Sequence, residues 1–303
     1  MRVWHAEVVV DDQLARRLIA QFPELEIDTL RLLADGWDRA AWLLNEEWVF
    51  GFPRRAAAVP GIEREMKLLP RLAPLLPLPI PVPVFLGRPA DEYPWPFFGS
   101  AFLRGQESCD VELDDAGRID AGLELAAFLG QLHSVEVAEA VGIEELPVDP
   151  NQRADMPRRV EVARRYLKEA ERLGLWQAPT SVARLLAEAQ QLPPHEQSAS
   201  IAHGDLHFRH LLLHEGRMSG VIDWVDVCRA DPAIDLQLVW SFLPPSGREA
   251  FMRTYGSATE EQLLRARVLA FSLCAALACY GYEEGVAGVQ REALAGLERA
   301  TMH

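Results

Sequence analysis

His203-Gly204-Asp205-Leu206-His207-Phe208-Arg209-His210-Leu211-Leu212-Leu213-His214 is the stretch on which the reading of this chain turns, with Gly220-Val221-Ile222-Asp223-Trp224 a short distance on. Ile201-Ala202 before the polar loop and Leu211–Leu213 after it read as short strands, so a β-hairpin is expected here among helices. Asp223 follows Asp205 by 18 residues. Two aspartates at opposite ends of a hairpin can divide the work of phosphoryl transfer. One accepts the proton of an attacking hydroxyl, and the other holds Mg²⁺ on the phosphates of a nucleotide. Mg²⁺ takes oxygen ligands and keeps several waters, so one well-placed carboxylate is enough to anchor it.

Two blander readings stand beside this one. A single buried aspartate often only caps a loop, although a pair at this spacing is harder to explain that way. Four of the eight histidines also fall in this stretch, and on a helix they would share one face as zinc ligands. The strand-like flanks argue against the helix, and no Cys or Glu stands at a usual zinc spacing.

Outward from the hairpin the chain divides in character. Asp11 and Asp12 can cap a helix running to about Gln21, with Leu14 and Leu18 inward. Leu30–Leu33, Ala40–Leu44 and Trp48–Phe52 read as strands separated by Asp35-Gly36 and Asn45-Glu46-Glu47. A helix is expected from about Pro60 to Leu69. Leu76-Pro77-Leu78-Pro79-Ile80-Pro81-Val82-Pro83-Val84 reads as an extended edge strand, because proline is tolerated only where no ladder donor is needed. Phe97–Leu103 completes a sheet of about five strands. Beyond Gly105 the spacing turns helical, with candidates at Asp120–Val135, Arg158–Leu173 and Val182–Gln191, and again from about Asp235. The expectation is an α+β chain of two lobes. Residues 1–104 would form a small lobe around a five-stranded antiparallel sheet, and residues 105–303 a larger, mostly helical lobe. A hinge is expected near Ser100–Gly105, with a ligand in the cleft beside it.

Composition narrows the function. The chain has 303 residues, 45 acidic against 30 basic, and a formal charge of −15. That balance argues against a nucleic-acid partner and suits a cationic small molecule. Cys109, Cys228, Cys274 and Cys279 show neither a disulfide framework nor metal spacing. The start of the chain does not read as a signal peptide. The longest uncharged apolar run, Val268–Tyr282, has 15 residues, too short for a membrane span, and reads as a buried helix. A cytoplasmic protein with no membrane partner is expected.

Taken together, His-Gly-Asp-Leu-His, Gly-Val-Ile-Asp-Trp and Ala230-Asp231-Pro232-Ala233-Ile234-Asp235-Leu236 resemble the aminoglycoside phosphotransferase family of small-molecule kinases. Asp35-Gly36-Trp37-Asp38, Trp48–Arg55, Glu65 and the Pro-rich segment look like that family's nucleotide lobe, in order over roughly residues 28–240. The resemblance implies a bilobal protein-kinase-like fold, ATP or GTP as donor, Mg²⁺ as cofactor and a small-molecule acceptor. It implies Asp205 as catalytic base and Asp223 as Mg²⁺ ligand. Asp235 would tie the catalytic loop to the helical lobe, and Ser100 and Phe102 would lie in the segment whose backbone meets the purine.

The sequence departs from the family in two places. Where most members have Asn as a second Mg²⁺ ligand, this chain has His210, as macrolide phosphotransferases do. Imidazole suits Mg²⁺ poorly, so His210 is a candidate either as metal ligand or as a catalytic-loop residue bonded to Asp205. The family also places Lys or Arg on the third strand, paired with nucleotide phosphates and with the helix Glu, here Glu65. This chain has Gly51 there. Lys67 would point roughly opposite to Glu65, and Lys168, the only other lysine, lies in the second lobe. Arg55, which shares the face of position 51, is the leading replacement, with Arg54 and Arg39 behind it. Losing a phosphate contact in a dry site costs about 2–4 kcal/mol, or roughly two to three decades in rate.

The sequence therefore supports a kinase acting on a hydroxyl of a macrolide-like or aminoglycoside-like antibiotic or of a metabolite. The alternative is a kinase-like binding protein that has lost phosphoryl transfer, and Gly51 is its motive. Acidic Glu283 and Glu284 would suit a cationic acceptor.

Overall fold

A computed structural model of the chain describes residues 6–36, 38–193 and 200–302. It forms two compact units, Met1–Leu75 with Pro79–Leu103, and Leu76–Leu78 with Arg104–His303. Trp37, part of the Asp35–Asp38 motif, lies outside the described residues.

In the first unit, helix α1 (Asp12–Ile19) begins where Asp11 accepts a hydrogen bond from the Leu14 amide at 2.8 Å. Strands β1 (Leu30–Asp35), β2 (Arg39–Leu44) and β3 (Trp48–Pro53) form the expected meander. Helix α2 (Val59–Leu72) precedes β4 (Pro83–Gly87) and β5 (Phe97–Ala101). The five strands pair antiparallel in the order β1-β2-β3-β5-β4. The Pro-rich segment supplies the edge strand, as read, but pairing begins only at Pro83. The prolines at 77, 79 and 81 remove alternate N–H donors, so this stretch is extended without a ladder, although Leu78 and Ile80 are still buried. One face of the sheet carries Ala40, Trp42, Leu44, Phe50, Phe52 and Phe97 into a core shared with Leu14, Leu18 and Ile19 of α1. Strict alternation sends Arg39, Ala41 and Gly51 to the other face. There Ala41 stands directly opposite Gly51, and Arg39 opposite Pro53.

The second unit contains β6 (Gln106–Glu107), α3 (Asp115–Leu132), α4 (Val135–Val141), α5 (Met156–Arg172), α6 (Thr180–Ala189) and β7 (Ile201–Ala202). There follow β8 (Leu211–His214), β9 (Arg217–Val221), β10 (Cys228–Arg229), α7 (Ala233–Leu236), α8 (Leu238–Ser241), α9 (Pro245–Tyr255), α10 (Glu260–Glu283) and α11 (Ala287–Thr301). Helix α3 starts five residues before the expected Asp120, because Asp114 caps it through the Gly117 amide at 2.8 Å. It also ends sooner than expected: Ser134 caps a separate helix, α4. The apolar run at 268–282 lies inside α10, whose 24 residues are long and apolar enough to cross a membrane by length and composition alone. Instead Val268, Phe271, Ala275 and Leu297 pack with Val160, Ala163 and Leu167 of α5 in the core of this unit.

Candidate active site

The catalytic-loop sequence is placed by two short strand pairings and one hydrogen bond beyond them. β7 pairs with β10, setting Ala202 opposite Cys228, while β8 pairs with β9, setting Leu211 opposite Val221. The hairpin continues one step further, with the Ile222 amide donating to the His210 carbonyl at 3.0 Å. That step brings His210 and Asp223 together from opposite ends of the hairpin. The fold thus turns a 13-residue separation into a contact: His210 Nε2 lies 3.4 Å from an Asp223 carboxylate oxygen.

The loop between β7 and β8 is held from below by Asp235, at the start of α7. Its fully buried carboxylate accepts from the His203 amide at 2.7 Å, the Gly204 amide at 3.1 Å and His133 Nε2 at 3.1 Å. Burial pushes the Asp235 pKa up, but these donors, His133 foremost, outweigh it and hold the group below the ordinary carboxylate range. Gly204 has φ of +89°, and a Cβ there would lie 2.3 Å from the Asp226 carbonyl oxygen. The Gly in the motif is therefore a steric requirement. The role implied for Asp235 matches this geometry.

The histidines have distinct settings. His203 is fully buried, with Nε2 against the Ile222 carbonyl at 2.9 Å and Nδ1 accepting from the Asp205 amide at 3.3 Å. Burial pushes it down to about 4, so it is neutral at pH 7. Burial likewise pushes His207 well below the usual range, and its Nδ1 accepts from the Arg209 amide at 3.3 Å. His210 Nδ1 lies 2.8 Å from the Asp205 carbonyl oxygen, to which it can only donate. His214 is exposed at the end of β8. The shared helical face of four histidines does not form. What converges is Asp205, His207 and His210, with ligand atoms within 4.8 Å of one another. Arg153 already occupies one Asp205 oxygen in that group, which disfavours a second cation on the carboxylate.

The Asp205 side chain is about one-third exposed. Desolvation raises its pKa, while Arg153 and then His210 pull it back. Arg153 is the functional residue the sequence reading missed. Its Nη2 donates at 2.8 Å to Asp205 and at 2.8 Å to Asp226. Burial works against its charge, but the two carboxylates outweigh that and raise its pKa. The loop that carries it is built by Asp149, whose side chain accepts from the Arg153 and Ala154 amides, both at 2.8 Å. Pairing of Asp149 N with the Arg229 carbonyl, 3.0 Å, seats this loop beside β10. Arg153 stands 52 residues before Asp205, and no local pattern marks it.

Asp223 has φ of +66°, a left-handed conformation that Asp tolerates better than most residues, and its side chain is 45% exposed. With Nδ1 of His210 donating to a carbonyl, Nε2 is the ring atom that faces Asp223. The Asp223 carboxylate, open to solvent for the remaining waters, fits a hard divalent cation, and His210 beside it suits a bond to one of those waters better than to the metal itself.

In the first unit, Glu65 is completely buried on α2 and pairs with Arg39 Nη2 at 2.5 Å. Arg55, the leading replacement in the sequence reading, is gripped by Asp38, with Nε 2.6 Å from its carboxylate. Arg54 binds Asp35 at 2.8 Å. The cation on Glu65 therefore comes from the second strand, which corrects the sequence reading. Ser100 is buried in β5 between Val49 and Pro83. The Phe102 amide donates to the Glu47 carbonyl at 2.7 Å, which extends the β3–β5 ladder and commits that N–H. Glu283 and Glu284, the expected acidic wall, are exposed at the end of α10.

The chain as a whole has relatives among known proteins. A model of the phosphotransferase enzyme family matches residues 29–270. The structure of the GDP and kanamycin complex of APH(2")-IIia is similar with a TM-score of 0.67 and 23% identity, over 95% of this chain and 98% of that one. The apoenzyme of macrolide 2'-phosphotransferase MphH from Brachybacterium faecium gives a TM-score of 0.57 and 24% identity, over 93% and 96%. The streptomycin-ATP-APH(2")-IIa ternary complex gives 0.58 and 18%, over 94% and 96%. No curated protein matches the sequence. With a kinase-like α+β fold and the catalytic-loop motif assembled by its hairpin, the chain belongs to the phosphotransferase enzyme family and is a small-molecule kinase.

Proposed function

We propose that this enzyme moves the γ-phosphoryl group of ATP or GTP onto a hydroxyl of an amine-bearing small molecule of the macrolide or aminoglycoside kind. The observation that carries the reading is the Asp205–His210–Asp223 arrangement, in which a half-enclosed carboxylate stands beside a carboxylate–imidazole pair. Asp205 accepts the proton of the acceptor hydroxyl on Oδ2, since Oδ1 is held by Arg153. The freed oxygen attacks the γ-phosphorus, the bond to the bridging β-oxygen breaks, and the nucleoside diphosphate leaves. Asp223 would hold Mg²⁺, with His210 placed to bond one of its waters; when bound, the ion supplies positive charge to the phosphate oxygens. Asp205 raised by burial is a stronger base than a free carboxylate, and Arg153 pulls it back toward the ionised form in which it can act.

His210 favours a macrolide-like acceptor over an aminoglycoside, and the net charge of −15 suits either, since both carry amines. Resistance to such an antibiotic in the cytoplasm is the role this activity would serve.

Calorimetric titration with ATP and with GTP, each with and without Mg²⁺, tests the proposal. Mg²⁺-dependent binding of at least one is expected. Binding of neither at millimolar concentration would leave a kinase fold without a donor and reject the proposed activity.

The second expectation concerns Arg153. Its charge lowers the Asp205 pKa, so Arg153→Met raises that pKa further. Asp205 acts only when ionised, so the acid limb of kcat/KM should move to higher pH by about one unit for a lost charge partner. Activity should fall along the acid limb and recover toward alkaline pH, where Asp205 is ionised in both proteins. An acid limb that stays in place would show that Arg153 supports the loop without tuning the base.

A further inference from the structure

We infer that Arg39 of β2 supplies the cation that grips the donor's phosphates, and that Gly51 is the space this side chain needs. The inference rests on the proposed kinase activity and names how its donor is held. Arg39 and Gly51 lie on one face of the β2–β3 ladder, one step apart on the diagonal, since Arg39 stands opposite Pro53 and Ala41 opposite Gly51. The arginine runs across the bare glycine. A Cβ at position 51 would lie 2.6 Å from Arg39 Cδ, 3.3 Å from Nη1 and 3.4 Å from Cγ. Any side chain there would evict the arginine from its path.

The path ends on Glu65. This carboxylate has no solvent exposure, whereas the Arg39 side chain keeps 18% of its own. A carboxylate buried to that degree requires a cation. Phe98 on β5 fixes the guanidinium from another side, with Cζ 5.4 Å from the ring centroid. A guanidinium carries five donors in a planar fork, so one edge can hold a carboxylate while another meets phosphate oxygens. A lysine would have to divide one compact ammonium between the two. Gly51 is then no lesion, and the loss of phosphoryl transfer it suggested has no support from this side of the sheet. The cation has moved from the third strand to the second, and the small residue at 51 goes with the move.

The test separates phosphate binding from a merely structural ion pair. Wild type, Arg39→Met/Glu65→Gln and Arg39→Ala/Gly51→Lys would be titrated with MgATP, MgGTP, adenosine and guanosine, with thermal melts alongside. The first double variant removes both charges and so leaves no buried carboxylate unpaired. It should keep nucleoside affinity within about twofold and lose triphosphate affinity by about 30- to 100-fold, the scale of one charge-assisted phosphate contact. The second returns a cation from position 51 and should recover triphosphate binding to within roughly fivefold of wild type. Triphosphate binding within threefold of wild type in Arg39→Met/Glu65→Gln overturns the inference, as does a folded Arg39→Ala/Gly51→Lys that stays equally weak. If wild type binds no triphosphate, the kinase proposal falls and takes this one with it. If wild type binds and the charge-free variant binds as well, only the role of Arg39 falls.

Discussion

Asp205→Asn is expected to lower turnover by about three to four decades while leaving nucleotide affinity within a few-fold. The substitution is nearly isosteric, and the amide oxygen can still accept from Arg153, which keeps its second partner, Asp226. The loop should therefore stay in place, since His203, Gly204 and His210 are held through backbone groups and Asp235. What disappears is the only function an amide cannot supply, acceptance of a proton from the attacking hydroxyl. General base catalysis is worth roughly two to four decades. A base raised by burial, as Asp205 is, belongs at the upper end of that range. The measurement is single-turnover phosphorylation of whichever amine-bearing acceptor the wild type modifies, with calorimetric MgATP or MgGTP affinity as the control. Turnover within tenfold of wild type would remove Asp205 from the role of base. Loss of nucleotide affinity by more than tenfold would show that the residue holds the donor instead.

The part of this site that was legible in the sequence is the part made by neighbours in the chain. His203 to His210 form one loop, and its flanking apolar runs announced the strands that pin it. The hairpin also foretold that Asp223 would return to the loop, because β8 and β9 can pair only by folding back. Arg153 was illegible for the opposite reason. It reaches Asp205 from a loop between α4 and α5 that is seated by tertiary pairing with β10, and nothing local marks such a contact. The error at Glu65 has a related cause. Alternation along one strand says which residues share a face, and it favoured Arg55 because 51, 53 and 55 share parity. The next strand's face depends on register, which the sequence does not print, and register is what puts Arg39 across Gly51. At the level of the fold, the edge strand was recognised from its prolines, but its start was misplaced for the same prolines. Alternate aliphatic residues bury themselves whether or not a ladder forms. The onset of α3 was missed because Gly117 and Gly122 weaken its pattern, while the cap at Asp114 sits before any apolar periodicity begins.

Asp235→Ala should be the most destabilising single change in the catalytic region, by about 3–5 kcal/mol, because it strips a buried ion of its role and orphans its donors. The carboxylate satisfies two amides of the His-Gly-Asp motif and His133. Behind His133, Nδ1 stands 3.0 Å from the Tyr255 hydroxyl, so the ring links Asp235 to α9. Removing the anion leaves two buried N–H groups and a ring nitrogen without acceptors, each costing about 1–3 kcal/mol less whatever the loop recovers by relaxing. In a unit of this size that corresponds to a fall in Tm of roughly 10 °C. Turnover should fall too, since Asp205 is the next residue in the same loop. The pH dependence gives an independent check. The folded pKa of Asp235 lies below its unfolded value, so its stabilisation is complete above the unfolded pKa and is lost as pH falls through the folded one. The gap in Tm between wild type and Asp235→Ala should thus be widest near neutrality and should narrow below about pH 4, where the unfolded carboxylate begins to take up its proton. A gap that stays constant into acid would mean the loss comes from the missing side-chain volume, and the anchoring of the catalytic loop would then have to be assigned to packing rather than to charge.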